Sequence, residues 1–246
     1  MDGVLLIDKP SGITSFDVIR QLRKCLGVRK MGHLGTLDPL ATGLLVVFLG
    51  KATKLIPYLT EAEKEYVVDL ELGKTSDSYD VTGEVKSMKG FRMPTQEEFS
   101  DAVQSFLGPQ LQIQPPFSAI RIQGKRAYEL ARDGKQVDLG KRQVSLFEIQ
   151  IMDFTPPFVQ LRLHCSSGTY VRSFVHELGE KLVTGAIMTQ LMRTRVNKFS
   201  LEQAHRLDHV GEKNVLDPLF VVDEYGIWEG KSDQEKAYLK TKLSQK

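Results

Sequence analysis

The amino-acid sequence predicts an α+β protein. Two observations support this prediction: short apolar runs bounded by glycine or proline, which are typical of strands, and amphipathic stretches that begin at helix-capping residues. These runs and stretches follow one another without an internal repeat. With 246 residues, of which 41% are hydrophobic, the chain can bury a sizeable core in one large or two modest domains.

The first quarter of the chain predicts a strand, a helix and a second strand. Residues 3–8 predict a short strand, apolar up to Ile7, that precedes Lys9-Pro10-Ser11-Gly12, whose proline and glycine indicate a turn. A helix capped by Thr14 or Ser15 follows and ends at Gly27. The apolar run 44–49 lies between glycines and predicts a strand buried on both faces.

The middle of the chain alternates between strand and helix signals. Residues 66–72 are apolar at every second position, which predicts a half-exposed strand. The capping box Thr95-Gln96-Glu97-Glu98 predicts a helix that ends near Gly108. Two alternating runs, 144–151 and 158–165, predict further strands.

The last third predicts a helix that ends at Gly185 and a strand over residues 188–196, followed by a polar stretch and a lysine-rich tail. Arg172 falls in the first turn of that helix. The positive end of the helix dipole disfavours a cation there by about 0.3 to 1 kcal/mol, so we expect an anion near Arg172. The alternative is an ordinary solvated arginine.

One carboxylate, Asp38, lies in a glycine-punctuated loop between Gly32 and Gly43. Proline disfavours the α region for the residue before it, so Pro39 should hold Asp38 extended. The loop leads directly into a buried strand, which is the kind of support from which functional loops project. The alternative is a connector in which the aspartate only forms a turn.

Charge is segregated along the chain although the formal net charge is only +2. Residues 1–60 and 119–143 each carry a surplus of four positive charges, whereas residues 61–101 are acidic. Such asymmetry indicates a polyanionic partner, unless the charges only solvate helix faces. Five cations of the first helix and its exit lead into the Asp38 loop: Arg20, Arg23, Lys24, Arg29 and Lys30.

Several common functions are excluded by spacing. The chain has no phosphate-binding P-loop, no dinucleotide fingerprint, no zinc-deaminase signature and no histidine cluster, so we expect no cofactor and no metal. Cys25 and Cys165 form no metal-binding or disulfide pattern, which fits a reducing compartment. No apolar stretch approaches the ~20 residues of a membrane span, and no signal peptide is apparent, so we expect a soluble cytoplasmic protein without membrane contact.

Seven segments resemble the bacterial tRNA pseudouridine-55 synthases of the TruB family, in collinear order over residues 3–200. The Asp38 loop contains the highly specific element Gly-x-Leu-Asp-Pro-x-Ala-x-Gly, whereas Lys-Pro or Gly-Thr-Tyr alone would be weak. The segments are Leu6-Ile7-Asp8-Lys9-Pro10-Ser11-Gly12, residues 32–43, Lys64-Glu65-Tyr66, Leu72-Gly73-Lys74-Thr75-Ser76-Asp77, Pro115-Pro116-Phe117-Ser118-Ala119, Gly168-Thr169-Tyr170-Val171-Arg172 and Leu191-Met192-Arg193-Thr194.

The resemblance implies a pseudouridine synthase fold, with a central mixed, largely antiparallel sheet flanked by helices. It also implies cofactor-free isomerisation of one uridine in the T arm of tRNA, with Asp38 as the essential carboxylate. Tyr66 would stack on the base and assist proton removal from C5, although its pattern alone also fits a core aromatic. Arg172 would pair with Asp38, which supplies the expected anion. Whether Asp38 attacks the ribose, adds to the uracil ring or removes a ribose proton stays open.

Further positions match the family's substrate site: His33, Tyr170 and Leu191. From the residues alone, His33 could equally be a loop hydrogen bonder, and Tyr170 and Leu191 could be core. Lys9 is a weaker candidate for RNA contact, because with Pro10 it fits a brace for the neighbouring loop better.

Residues 109–143 match an insertion that in the family closes on the T loop like a thumb. A uridine within a folded arm must be flipped out, and extra RNA contacts must offset the unstacking. We expect Lys125, Arg126, Arg132 and Lys135 to contact phosphates, which makes binding salt-dependent.

The resemblance divides the chain into a catalytic domain, residues 1–215, and a short extension, residues 216–246. Many family members carry an RNA-binding domain of PUA type at this end; here the residues suffice only for a stub or a strand pair. We expect a monomer that needs no protein partner. Two alternatives stay open: a tRNA-binding folding chaperone without turnover, and a synthase for other RNAs.

Overall fold

A computed structural model describes residues 1–116, 121–122, 125–126, 140–224 and 232–244. The chain divides into two compact units: unit 1 consists of Met1–Lys64 and Met192–Lys246, and unit 2 consists of Glu65–Leu191. The strands are β1 (Gly3–Lys9), β2 (Met31–Leu34), β3 (Thr42–Leu49), β4 (Lys64–Leu72), β5 (Lys74–Ser76), β6 (Val85–Ser87), β7 (Gly108–Ile113), β8 (Arg121–Ile122), β9 (Lys125–Arg126), β10 (Lys141–Thr155), β11 (Phe158–Cys165), β12 (Ala186–Val196), β13 (Phe199–Ser200) and β14 (His205–Arg206). The α-helices are α1 (Ser15–Leu26), α2 (Gln96–Gln104), α3 (Val171–Lys181), α4 (Pro218–Glu224) and α5 (Asp233–Ser244).

Unit 1 is built on a mixed sheet with the strand order β14, β1, β3, β12. β1 runs antiparallel to β3 and parallel to β14, and β12 runs parallel to β3. β2 also pairs antiparallel with β3, so His33 lies opposite Val47. The side chains 44–49 of β3 are completely buried, which confirms the prediction of a strand covered on both faces.

Helix α1 has both predicted ends. The Thr14 hydroxyl accepts from the Asp17 amide, and the Asp17 carboxylate accepts from the Thr14 amide, which completes a capping box. Gly27 closes the helix in the left-handed conformation with φ 66°, and its amide donates to the Arg23 carbonyl. The helix buries one face, which consists of Ser15, Val18, Ile19 and Leu22.

Where the structure describes the carboxyl-terminal tail, residues 216–224 and 232–244, it forms two helices rather than the strand pair that was one of the two expectations. Its helices α4 and α5 belong to unit 1. Val221, Val222 and Leu243 pack into the same apolar core as Val46 and Phe48 of β3. Burial of these three side chains gives the tail a stable position although its sequence carries no strong amphipathic pattern.

Unit 2 contains an antiparallel sheet with the strand order β4, β11, β10, β7. In β4 the side chains of Tyr66, Val68, Leu70 and Leu72 are buried, as the alternation predicts. Helix α2 begins at the predicted capping box. The chain enters unit 1 again within β12.

The predicted thumb is described only in part. β7 and the start of β10 pair at its base, and two short strands, β8 and β9, form a hairpin within it. Arg132 and Lys135 lie outside the described residues. None of the described helices is long and apolar enough to cross a membrane.

Candidate active site

The loop 35–41 holds Asp38 between two buried anchors. Leu37 and Ala41 are 3% and 0% exposed, whereas Asp38 between them is half-buried. The Ala41 amide donates to the Asp38 carbonyl at 3.1 Å, which closes a turn around the intervening residues. The carboxylate therefore projects from a segment that is fixed on both sides.

The turn after β1 and the start of α1 bind this loop from one side. The Ser15 hydroxyl donates to the Leu37 carbonyl and accepts from the Leu37 amide, at 3.1 and 2.9 Å. The Gly12 amide donates to the Pro39 carbonyl at 2.8 Å. Backbone groups on both sides of Asp38 thus have partners, which limits the conformations that the loop can adopt.

A buried lysine of β1, Lys9, also binds this loop. Lys9 is completely buried, and its Nζ donates to the carbonyls of Pro10, Pro39 and Ala41 at 2.8, 3.4 and 2.7 Å. This position corrects the expectation that Lys9 contacts RNA, because a phosphate cannot reach a side chain without exposed surface. It agrees with the other interpretation, a brace for the loop.

A second buried cation, Arg193 of β12, binds the start of the loop and the strand that follows it. Its Nε donates to the Leu44 carbonyl at 2.8 Å, and its Nη2 donates to the Gly35 carbonyl at 3.1 Å. The side chain is completely buried. Sequence reasoning gave Arg193 no role, because Gln190 and Arg195 on the same strand are polar too and nothing in the sequence marks Arg193 as the buried one.

Gly43 lets β12 approach the end of the loop. Its φ is 91°, and a Cβ atom would lie 2.4 Å from the carbonyl oxygen of Arg193.

We expect Gly43→Ala to lower the free energy of unfolding, measured by urea denaturation, by about 3 kcal/mol or more, because the costs of backbone strain and of overpacking add. Gly12→Ala is the matched control: φ is 87°, no atom lies within 4 Å of its Cβ, and we expect about 1 kcal/mol. Equal losses would contradict the packing argument.

Burial lowers the pKa of the Lys9 ammonium to about 8; the Asp38 carboxylate opposes this shift and the Arg193 charge adds to it. Between pH 8 and 10.5 the unfolded chain therefore holds a proton on Lys9 that the folded chain has lost. Linkage then requires that the Lys9 contribution to stability rises with pH in this window and is constant below it.

We expect the free energy of unfolding of the wild type to rise, relative to that of Lys9→Met, by on the order of 1 kcal/mol between pH 7.5 and 9.5. The measurement is urea denaturation at several pH values. Lys24→Met, at an exposed position of α1, is the control and should follow the wild type. A wild-type stability that falls relative to Lys9→Met would contradict the assignment.

His33 lies on β2 beside the loop. Burial and the nearby Arg193 charge lower the pKa of its imidazole, against a backbone hydrogen bond at Gly35. Its Nδ1 is buried and makes no hydrogen bond with the residues that the structure describes. The lowered pKa favours the neutral form of the His33 ring.

In unit 2 the expected anion near Arg172 is Asp80. Nη1 of Arg172 lies 3.8 Å from Oδ2 of Asp80, and the side chains are only 6% and 4% exposed. This burial excludes the solvated alternative. The pair of Arg172 with Asp38 stays a prediction, because Asp38 belongs to the other unit.

Hydrogen bonds hold the Asp80 carboxylate in one orientation. Its Oδ1 accepts from the Ser78 hydroxyl at 2.8 Å and from the Thr82 amide and hydroxyl at 2.9 and 2.5 Å. The Ser76 hydroxyl donates to the Asp80 carbonyl at 2.6 Å. Sequence reasoning missed Asp80, although the hydroxyl residues at alternate positions around it indicate a polar network.

The Asp80 segment is bound to α3 a second time. The ring of Tyr79 stacks on His176, with centroids 3.8 Å apart and planes inclined by 8°. His176 follows Arg172 by one helical turn, so adjacent residues of the segment engage adjacent turns of α3. The Tyr79–His176 stacking and the Asp80–Arg172 ion pair together hold the Asp80 carboxylate beside the Arg172 guanidinium.

Three other predicted residues of unit 2 lie on this helix or on the sheet: Tyr170, Leu191 and Tyr66. Tyr170 is the N-cap of α3. Its amide donates to Oε1 of Gln112, and its carbonyl accepts from Nε2 of the same glutamine. The Tyr170 ring centroid lies 6.0 Å from the guanidinium carbon of Arg172. Leu191 is 9% exposed on β12, and Tyr66 is 6% exposed on β4. Both are therefore mainly buried.

The predicted basic residues of α1 and its exit are accessible at the surface of unit 1, unlike Lys9. Arg20, Lys24, Arg29 and Lys30 are exposed, and Arg23 is half-buried. Within the described ranges no group of three or more histidine, cysteine, aspartate or glutamate side chains could hold a metal ion.

Comparison with known proteins identifies the family. The model of the TruB family pseudouridylate synthase (N terminal domain) matches residues 23–171. The chain belongs to the TruB family. Proteins named tRNA pseudouridine synthase B are 40% identical in Clostridium tetani and 43% identical in Opitutus terrae. These alignments cover 87% and 85% of this chain, and 74% and 87% of the relatives.

Solved structures show the same fold for this TruB family chain. A Cbf5-Nop10-Gar1 complex matches at a TM-score of 0.66 and 28% identity over 98% of the chain. An H/ACA RNP bound to a substrate RNA containing 2'-deoxyuridine matches at 0.64 and 28% over 92%. The chain spans 59% and 56% of those two proteins. The predicted α+β pseudouridine synthase fold is confirmed.

Proposed function

We propose that this TruB family member is a tRNA pseudouridine synthase that isomerises the uridine at position 55 in the T arm. The relatives named tRNA pseudouridine synthase B, 40 to 43% identical, support the substrate class. The observation that carries the proposal is the Asp38 loop. It presents one half-buried carboxylate between buried anchors, in the motif that carries the family resemblance.

The reaction needs no co-reactant. The bond from N1 of the base to C1' of the ribose breaks, a bond from C5 to C1' forms, C5 loses its hydrogen and N1 gains one. Atoms and electrons therefore balance within one nucleotide. Asp38 can attack the ribose, add to the uracil ring or remove a ribose proton, and each route needs a carboxylate held in one place.

The remaining site residues take the roles that the resemblance assigns. Tyr66 stacks on the base and assists removal of the proton from C5. Arg172 fixes the Asp38 carboxylate, as the resemblance implies, and the Asp80 carboxylate lies beside the Arg172 guanidinium within unit 2. His33, Tyr170 and Leu191 line the pocket that retains the detached base, which must exclude water while the base turns.

The uridine must leave the stack of the arm before it reaches Asp38, and contacts with the rest of the RNA offset that cost. The exposed cations of α1 and its exit, together with Lys125, Arg126, Arg132 and Lys135 of the thumb, supply phosphate contacts. The enzyme acts on the T arm in the cytoplasm, as a monomer without a cofactor.

Tritium release tests the proposal. A tRNA transcript labelled at C5 of uridine loses tritium to water only when the C5–H bond breaks. We expect the protein to release up to one equivalent from a wild-type transcript and none from a transcript with cytidine at position 55. Equal release from both transcripts would reject the T-arm assignment, and no release from either would reject the enzyme.

A further inference from the structure

The outer face of α1 carries an exposed aromatic ring between two arginines. Phe16 is 53% exposed. The guanidinium carbons of Arg20 and Arg23 lie 5.6 and 5.7 Å from its ring centroid, within the range of a cation–π contact. A single exposed phenylalanine is unremarkable in itself. The Phe16 ring differs from a single exposed phenylalanine because the guanidinium groups of Arg20 and Arg23 flank it.

This face is joined to the Asp38 loop by short connections within unit 1. Phe16 follows Ser15, whose hydroxyl makes two hydrogen bonds to Leu37, and Leu37 precedes Asp38. The ring therefore stands at the end of α1 that is fixed to the loop. A nucleotide next to the one that reaches Asp38 would come to this end of the helix.

The charge of the face selects an anionic partner. Helix α1 carries three basic residues, Arg20, Arg23 and Lys24, but one acidic residue, Asp17. Asp17 is already engaged in the capping box and lies 3.2 Å from Arg20, whose side chain nevertheless stays 70% exposed. An acidic peptide would use these cations but has no need for the ring. An unstacked nucleobase with its phosphate uses both, because every base has a face that stacks on an aromatic ring or a guanidinium.

We propose that Phe16, flanked by Arg20 and Arg23, is a stacking platform for an unpaired nucleotide of the RNA substrate, adjacent to the uridine that reaches Asp38. Base flipping unstacks the neighbours of the flipped uridine, and a platform offsets that loss. The proposal rests on the proposed function, since it assumes that Asp38 acts on RNA.

Binding of a T-arm stem-loop RNA, measured by fluorescence anisotropy over a range of salt concentrations, tests the platform. We expect Phe16→Ala to weaken binding about tenfold without changing the slope of log K against log salt, because a neutral ring releases no counterions. Phe16→Tyr should bind within about twofold of the wild type. Arg20→Gln should weaken binding and reduce the slope by about one.

Phe220 provides a matched control. It is 51% exposed on α4, a helix of unit 1 without lysine or arginine, and Phe220→Ala should bind like the wild type. In steady-state kinetics we expect Phe16→Ala to raise KM and leave kcat unchanged. In Phe16→Trp, added RNA should quench the new fluorescence, because a stacked base quenches indole.

Each outcome has one meaning. If the wild type forms pseudouridine while Phe16→Ala binds and reacts normally, the platform is rejected and the proposed function stands. A changed salt slope in Phe16→Ala, or a Phe16→Tyr variant as weak as Phe16→Ala, also rejects stacking. If the wild type binds RNA without forming product, the proposed function fails, and Phe16 is then judged from binding alone.

Discussion

Asp38→Asn should abolish pseudouridine formation and leave RNA affinity within about threefold of the wild type. The amide keeps the volume of the carboxylate but is neither a nucleophile nor a base at neutral pH. The loop should keep its conformation, because Ser15, Gly12, Lys9 and Arg193 hold its backbone. Single-turnover kinetics with excess enzyme isolates the chemical step, and loss of more than about 10⁴-fold is expected.

A matched control for Asp38→Asn is Asp17→Asn on α1. Asp17 is another aspartate of unit 1, within the helix cap, and its replacement should cost stability of about 1 kcal/mol without loss of the chemical step. Substantial turnover in Asp38→Asn would show that this carboxylate is not essential. A parallel loss of RNA binding would show instead that Asp38 acts in recognition.

Removal of the Asp80 carboxylate should have the second-largest effect. The Asp80–Arg172 pair is almost completely buried, and removal of one member of a buried ion pair costs about 3 to 5 kcal/mol. Asp80→Ala also leaves the Ser78 hydroxyl and the Thr82 amide without their acceptor. We expect a free energy of unfolding lower by about 3 kcal/mol and a turnover lower by at least 10²-fold.

A double variant separates stability from catalysis. Asp80→Leu with Arg172→Met replaces the ion pair by apolar groups, so it should be more stable than either single variant and still inactive. Asp77→Asn, at an exposed aspartate of the same loop, is the control and should change little. If the double variant lost as much free energy of unfolding as the two single variants together, the coupling between Asp80 and Arg172 would be contradicted.

Arg172→Ala should lose far more turnover than RNA affinity. Equal losses of turnover and affinity would reject the pairing of Arg172 with Asp38.

Local sequence signals predicted the elements that local interactions determine. The cap at Thr14 or Ser15, the capping box at Thr95 and the strict alternation over residues 66–72 correspond to α1, α2 and β4. Each signal lies within a few residues of the structure that it specifies. The Asp38 loop was likewise apparent, because proline and glycine restrict or free the backbone at their own positions.

The interactions between distant residues were not predictable in the same way. Asp80 and Arg172 are separated by 92 positions, and only the folded chain brings them together. For Lys9 the sequence favoured a brace for the loop over an RNA contact, but it did not identify the three carbonyls that permit the complete burial of this side chain. Strand β2 depends on pairing with β3 rather than on its own periodicity. The tail helices depend in the same way on the core that they cover.

Site-resolved mapping of pseudouridine tests the central claim most directly. Transfer RNA and ribosomal RNA from cells that lack T-arm pseudouridine are incubated with the wild type and with Asp38→Asn, and every pseudouridine is located. We predict modification at uridine 55 of tRNA only, and none with Asp38→Asn. Product at other sites would indicate a synthase of different specificity, and RNA binding without product would favour the chaperone; either result would contradict the account.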